Sequence, residues 1–197
     1  MTKQKMAESK NHDSAALRRT EQWLEQWVIG QGLCPFAQHP WQQGRVELRL
    51  SVAKTQDALL ADLDAALQSL AADPQVETLL LVHPEVLQDF YDYNDFLDLA
   101  DALIQARDWE GEFQIASFHP DYQFADTSPD AVENYTNRSP YPLLHILREG
   151  SVSAAIAHHP DVDEIPQRNI ALLQQLGLAQ VQTLQSPPIE TEDQHGQ

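Results

Sequence analysis

The sequence predicts an α/β fold: a small, three-layer-like domain with a three-stranded, mainly parallel sheet (βαβαβ) and additional N- and C-terminal helices. Three apolar stretches of strand length, 46–52, 78–82 and 113–118, alternate with two stretches of helical periodicity, 55–70 and 89–106. That alternation is typical of parallel strands joined by right-handed crossovers. The stretch 78–82 is almost entirely aliphatic, which indicates the middle strand, covered on both faces.

The chain of 197 residues fits one domain, 14–185, between two tails. Residues 1–13 are polar with no apolar period, and 186–197 are acidic, so both tails are predicted to be disordered. Ser14 is a suitable N-cap for a helix that ends near Ile29. The stretch 33–41 contains two prolines and is predicted to be an ordered loop.

The first strand, 46–52, alternates apolar and polar residues, as expected when one face is wet. Thr55 and Asp89 are suitable N-caps for the two central helices. Beyond the third strand, 121–138 reads as a long polar loop. The rest of the chain predicts helices at about 140–157 and 165–176 and a short edge strand at 181–184.

Composition excludes several classes of function. The formal net charge of -18 makes binding to nucleic acid or to an anionic membrane surface unfavourable, because neither polyanion releases counterions to an acidic protein. No apolar run reaches the roughly 20 residues that span a bilayer, and the polar N-terminus lacks the apolar centre of a secretion signal. The single cysteine suits a reducing compartment. We therefore expect a cytoplasmic protein.

Two histidines stand at the ends of predicted strands. His83 and His119 each follow an apolar stretch and precede a proline, which keeps the backbone extended. In a parallel sheet the carboxyl ends of neighbouring strands meet at one edge, where ligands of open α/β folds bind. The pair is a candidate general acid or base. The alternative is that both imidazoles are hydrogen-bonded structurally.

The segment after the polar loop carries the candidate anion-binding groups. Between residues 108 and 167 the only arginines or lysines are Arg138 and Arg148. Ser139 suits an N-cap and the proline that follows it suits the first helical position, so free backbone N–H groups are predicted there beside Arg138 and Asn137. These groups would cradle a phosphate or carboxylate. Ordinary capping is the alternative.

His145 and Glu149 are four residues apart and share one face of the predicted helix 140–157. With His83 and His119 they supply ligand types that suit zinc or iron, although no tight sequence cluster announces a metal site. An exposed ion pair is the alternative, because the main apolar face of this helix lies opposite.

Cys34 is the third candidate catalytic group. Cys34-Pro35-Phe36-Ala37 resembles the Cys-Pro-aromatic-Cys motif of glutaredoxin-like proteins, but the second cysteine is absent. A reactive thiolate and a buried structural cysteine both remain open. We expect Cys34 to be partly or wholly buried beside the strand ends.

Several of these segments also resemble DUF1415, a bacterial family of unknown function. The resemblance runs from roughly Leu17 to Leu178 and implies no activity, cofactor or catalytic residue. Its motifs are Leu33-Cys34-Pro35-Phe36-Ala37, Thr78 to Pro84, Asp95-Phe96-Leu97, Ile115 to Pro120, and Thr136 to Glu149.

The leading functional hypothesis is a cytosolic enzyme that acts on a small anionic molecule by histidine acid/base or metal-assisted chemistry. Arg138 and the predicted helix start would bind the charge, and His83, His119 and Arg138 would line one concave site. A non-catalytic metabolite-binding or regulatory module is the alternative from another class, and thiol redox chemistry at Cys34 is the third.

Overall fold

The computed structural model describes residues 15–159 and 161–185. Its centre is a four-stranded mixed sheet in the order β1-β2-β4-β3. The strands are β1 (Val46–Leu50), β2 (Thr78–Val82), β3 (Phe113–Phe118) and β4 (Leu143–Arg148). Within this described part, no helix is both long and apolar enough to cross a membrane.

The helices pack on both faces of the sheet. The first, α1, covers 15–29 and is π-helical over Leu24–Ile29. Short 3-10 turns occupy Val132–Thr136 and Val162–Glu164. The others are α2 (Gln38–Gln42), α3 (Gln56–Ala72), α4 (Phe90–Ala106), α5 (Glu149–Ala157), α6 (Ile165–Leu176) and α7 (Leu178–Gln185).

The central elements form where their sequence patterns predict them, and two of the predicted N-caps are confirmed. Thr55 accepts a hydrogen bond from the backbone N–H of Ala58 at the start of α3. Asp89 accepts from the N–H groups of Tyr91 and Asp92 at the start of α4. The strand 78–82 is buried at every position, as its aliphatic run predicts. Ser14 and the tails 1–13 and 186–197 lie outside the described residues.

The predicted three-stranded parallel sheet is wrong in one respect. β1 and β2 do pair in parallel, but β4 lies between β2 and β3 and pairs antiparallel with both. Residues 143–148 were expected in the helix 140–157, because Ser139 suits an N-cap and the proline after it suits the first helical position, and these residues do not alternate as a half-exposed strand does. They do not alternate because a central strand is covered on both faces: Leu144 and Ile146 pack toward α3 and α4, and Leu143 packs toward α1.

Three smaller expectations are also corrected. Residues 181–184 lie in the helix α7 and not in an edge strand. The stretch 33–41, predicted to be a loop, leads into the short helix α2, which tolerates Pro40 because the proline stands in its first turn. β1 ends at Leu50, two residues before the predicted end.

The sheet separates two apolar cores. On one face, α3 and α4 pack against side chains such as Leu79, Leu81 and Ile146. On the other face, α1, α6 and α7 pack against Leu80 and Val82, which alternate with the first set along β2. The face on which a side chain lies therefore decides which helices it meets, and this matters for the predicted site.

Candidate functional site

His83 and His119 lie close together beneath α4, on either side of the end of β4. The ring centroid of Tyr93 lies 5.9 Å from that of His83 and 5.1 Å from that of His119. The Tyr93 hydroxyl donates to the carbonyl oxygen of Leu143 at 2.8 Å and accepts from the N–H of Phe118 at 3.0 Å. Tyr93 thus bridges β3 and β4 at the edge where the two histidines stand.

Both histidines hold the loop that joins β2 to α4. Nδ1 of His83 donates to the carbonyl oxygen of Val86 at 3.1 Å, and Nε2 of His119 donates to that of Leu87 at 3.2 Å. Nδ1 of His119 accepts from the N–H of Asp121 at 3.0 Å, so both nitrogens of that ring are used. Leu87 has a positive φ of 56°, a conformation that these bonds help to hold.

The electrostatic setting of these histidines keeps them neutral. Burial lowers the pKa of His83 to about 4, and the nearby His119 acts in the same direction. Burial also lowers the pKa of His119. Nε2 of His83 is buried without a hydrogen-bond partner among the described residues. Hydrogen bonds within the fold therefore use both ring nitrogens of His119 but only Nδ1 of His83.

The predicted anion cradle at 137–140 does not form. Residues 139–142 lead into the strand β4, so there is no helix start at Ser139, whose hydroxyl donates to the carbonyl oxygen of Tyr141 at 2.7 Å. The guanidinium of Arg138 donates to the carbonyl oxygens of Tyr122 and Pro129, at 3.2 and 2.8 Å. Its carbon lies 4.4 Å from the ring centroid of Tyr135. Arg138 therefore fastens the polar loop.

The other two predicted ligand-binding residues also make internal contacts. The guanidinium of Arg148 donates to the carbonyl oxygens of Leu70, Asp73 and Val76 at the end of α3. The side-chain amide of Asn137 donates to the carbonyl oxygen of Ser117 at 3.3 Å. Both side chains therefore donate hydrogen bonds to backbone carbonyl oxygens of this chain.

The predicted metal set is not brought together. His145 lies in β4 and not on a helix, and Glu149 is the first residue of α5, so the two do not share a helix face. His145 projects from the face opposite to His83 and His119, beside Leu80 and Phe118. Within 15–159 and 161–185, no three His, Cys, Asp or Glu side chains are grouped so that they could hold a metal ion.

The structure instead places His145 in a cavity of about 270 Å³. The floor of this cavity is the face of β2, β4 and β3 that carries His145, and its walls come from α1, α5 and the segment 34–40. Ala116 and Leu147 on this floor are only half-buried. Most of its lining is carbon, and its few polar side chains are Cys34, Glu77, Thr78, Gln114, His145, Arg148 and Ser151.

His145 is the central polar group of the cavity floor. Its Nε2 lies 2.6 Å from the hydroxyl oxygen of Thr78, and that hydroxyl donates its one hydrogen to the carbonyl oxygen of Ile146, also at 2.6 Å. Nε2 must therefore carry a proton and donate it to Thr78. Burial lowers the pKa of His145 to about 4, so the ring is neutral at pH 7. Nδ1 makes no hydrogen bond within the described part of the chain, so its lone pair is the group that the ring offers to the cavity.

Cys34 lines the same cavity, on the wall beside α1. The thiol is partly buried, as expected, and burial raises its pKa although the N–H groups of Phe36 and Ala37 act against the rise. Cys34 and Phe118 also line a second space of about 550 Å³, which reaches Asn137 and α6. The structure therefore brings together two predicted residues, Cys34 and His145, that the sequence analysis had assigned to different roles.

Three polar residues that line the cavity are not among those predicted from the sequence: Thr78, Gln114 and Ser151. Their signal is weak but present: Gln114 alternates with apolar residues along β3, and Thr78 is the one polar residue in an otherwise aliphatic strand. Ser151 could not be found, because α5 was expected to start earlier and to present another face.

Comparison with known proteins assigns the chain to a family. No curated protein and no solved structure matches it. One family model, described as "Protein of unknown function (DUF1415)", matches residues 15–183, which include every element from α1 to α6 and the walls of the cavity. The chain therefore belongs to the DUF1415 family.

Proposed function

We propose that this protein binds a small, largely apolar molecule in the cavity that His145 and Cys34 line. The observation that carries the proposal is the composition of the cavity: about 270 Å³ bounded mostly by carbon, with a few polar groups on its walls. Small-molecule sites in proteins have this character, with an apolar lining and a small number of placed polar groups.

The structure gives no support to the two arginines as the anion-binding groups. Each guanidinium donates to two or three backbone carbonyl oxygens, and moving either one to a ligand would leave those carbonyls unpaired. A neutral imidazole and a protonated thiol suit a neutral or apolar moiety better. The two charged groups of the lining are held by other partners, Glu77 by Arg45 and Arg148 by backbone carbonyl oxygens, so the ligand part that enters the cavity is uncharged.

Binding is favoured over acid/base or thiol chemistry for a related reason. A pKa of about 4 makes His145 a weak base at pH 7, and the raised pKa of Cys34 keeps its thiol protonated. Neither group is activated in the way a catalytic nucleophile or base requires. These properties of His145 and Cys34 favour a binding or regulatory module over an enzyme.

The test is titration of the purified protein with 1-octanol by isothermal titration calorimetry. Burial of six to eight methylene groups at about 0.8 kcal/mol each contributes roughly 5 to 6 kcal/mol, so the tightest Kd expected, before the cost of association is subtracted, is roughly 20 to 300 µM. Ala116→Leu puts three more carbons into the cavity and should abolish binding. Ala157→Leu, the same change on the exposed end of α5, should not. No heat of binding with wild-type protein would refute the proposal.

A further inference from the structure

An open groove lies directly against the cavity, between α2 and α5. It holds about 450 Å³ and is lined by polar and apolar residues from both helices and by Arg45 and Glu77, which precede β1 and β2. The two spaces adjoin, because five residues line both of them: Phe36, Pro40, Glu77, Ser151 and Ala155. A molecule longer than the cavity would emerge here.

The chemistry of the groove differs from that of the cavity. It gathers three imidazoles, those of His39, His158 and His159, with the guanidinium of Arg45. Its single carboxylate, Glu77, is paired with Arg45 at 3.0 Å, so that charge is already compensated. The formal net charge of the chain is -18, but the groove carries no uncompensated carboxylate. An anion could approach it without the repulsion that the rest of the protein exerts.

Donor groups remain free to face a ligand there. Arg45 uses Nη1 for Glu77 and Nε for the carbonyl oxygen of Gln75, at 3.0 and 3.1 Å, which leaves Nη2. Nδ1 of His158 donates to the carbonyl oxygen of Ala154 at 2.6 Å, so Nε2 of the neutral ring is an acceptor and His158 contributes no donor. His159 packs edge-on against Phe36 with 5.1 Å between centroids, at the boundary with the cavity. The imidazoles do not form a metal site, because no metal-binding group occurs among the described residues.

We infer that the ligand is an amphipathic carboxylic acid, with its apolar part in the cavity and its carboxylate in the groove. This inference rests on the proposed function and names its ligand class. A cavity of about 150 Å³ holds one benzene ring, so about 270 Å³ accommodates a chain of medium length or a small ring system. The carboxylate would accept hydrogen bonds from Nη2 of Arg45 and from the imidazoles of His39 and His159.

The experiment compares octanoate with 1-octanol, which share their apolar chain and differ in the head group. Octanoate should bind at least tenfold more tightly, because a charge-assisted hydrogen bond is stronger than a neutral one. Replacing His39 and His159 by alanine, or Arg45→Gln, should lower the affinity for octanoate at least fivefold and leave that for octanol within twofold. Arg107→Gln is the control, since Arg107 is also a surface arginine paired with a carboxylate, that of Asp64, and lies outside the groove.

The outcomes separate the two claims. If octanol and octanoate bind equally, the cavity proposal stands and the acidic head group is refuted. Loss of octanoate affinity in Arg107→Gln to the same extent as in Arg45→Gln would also overturn the inference, because overall charge would then explain the preference. If neither compound binds to the wild-type protein, the proposed function itself fails.

Discussion

His145 Nε2 lies 2.6 Å from Thr78 Oγ1, across the antiparallel pair of β2 and β4. The two side chains stand on the cavity face of neighbouring strands, and Thr78 passes its own hydrogen to the carbonyl oxygen of Ile146. This chain of two hydrogen bonds fixes the tautomer of His145 and leaves Nδ1 as the acceptor that a ligand would meet.

Thr78→Val should therefore disturb both stability and tautomer. Valine has the same shape but leaves Nε2 of His145 without an acceptor, so we expect a loss of about 1 to 3 kcal/mol in the free energy of unfolding by urea. Nitrogen-15 NMR of the imidazole should show a single Nε2–H tautomer in the wild-type protein and a mixture in the variant. Thr78→Ser keeps the hydroxyl and should keep the wild-type tautomer. A single unchanged tautomer in Thr78→Val would show that Thr78 does not set it.

The buried histidines should make stability fall as the pH falls. His83 and His145 have folded-state pKa values of about 4, against an ordinary value of 6.5, so between these limits the unfolded chain binds more protons than the folded one. Each histidine then removes roughly 1.4 kcal/mol of stability per pH unit as the pH drops from about 6.5 to about 4.

The measurement is the free energy of unfolding by urea at several pH values in this window. His83→Asn and His145→Asn should each reduce the slope by up to that amount, whatever they do to stability at pH 7. Gln88→Ala is the control, because it removes a hydrogen bond to the carbonyl oxygen of Pro84 in the same loop without removing a titrating group. Slopes equal to the wild-type slope in both histidine variants would contradict the prediction.

Arg138→Ala should destabilise the fold without weakening binding in the cavity. Two hydrogen bonds to the carbonyl oxygens of Tyr122 and Pro129 and the contact with the Tyr135 ring are lost, for a cost of roughly 2 kcal/mol. Arg107→Ala removes an exposed ion pair and should cost less than about 1 kcal/mol. Octanol affinity should stay within twofold in Arg138→Ala. A loss of more than tenfold would restore Arg138 to the ligand site.

Cys34 should react slowly in the native protein. Burial raises the pKa of its thiol and therefore lowers the thiolate fraction that attacks an alkylating reagent. We expect iodoacetamide at pH 7.5 to modify the folded protein at least tenfold more slowly than the protein in urea, and octanol to slow it further. The chain has one cysteine, so mass spectrometry assigns the modification unambiguously. Rapid modification of the folded protein would favour thiol chemistry over a binding role.

Local sequence patterns were sufficient for much of the fold. The alternation of apolar strands with amphipathic helices predicted β1, β2, β3, α3 and α4, because each of these elements shows its own period or its own cap. The caps Thr55 and Asp89 act within a single turn, so nearby residues alone specify them. The same patterns placed His83 and His119 at the ends of their strands, near each other in space.

The position of β4 and the nature of the cavity were decided by tertiary structure. Residues 143–148 carry apolar side chains on both sides, a pattern that suits a helix face as well as a doubly covered strand, and only pairing with β2 and β3 selects the strand. That choice turns His145 away from His83 and His119 and toward Cys34, 111 positions earlier in the chain. The position of a cavity depends on which faces of the sheet the packed helices leave uncovered. Residues this far apart in the sequence can line one cavity only after the sheet has formed.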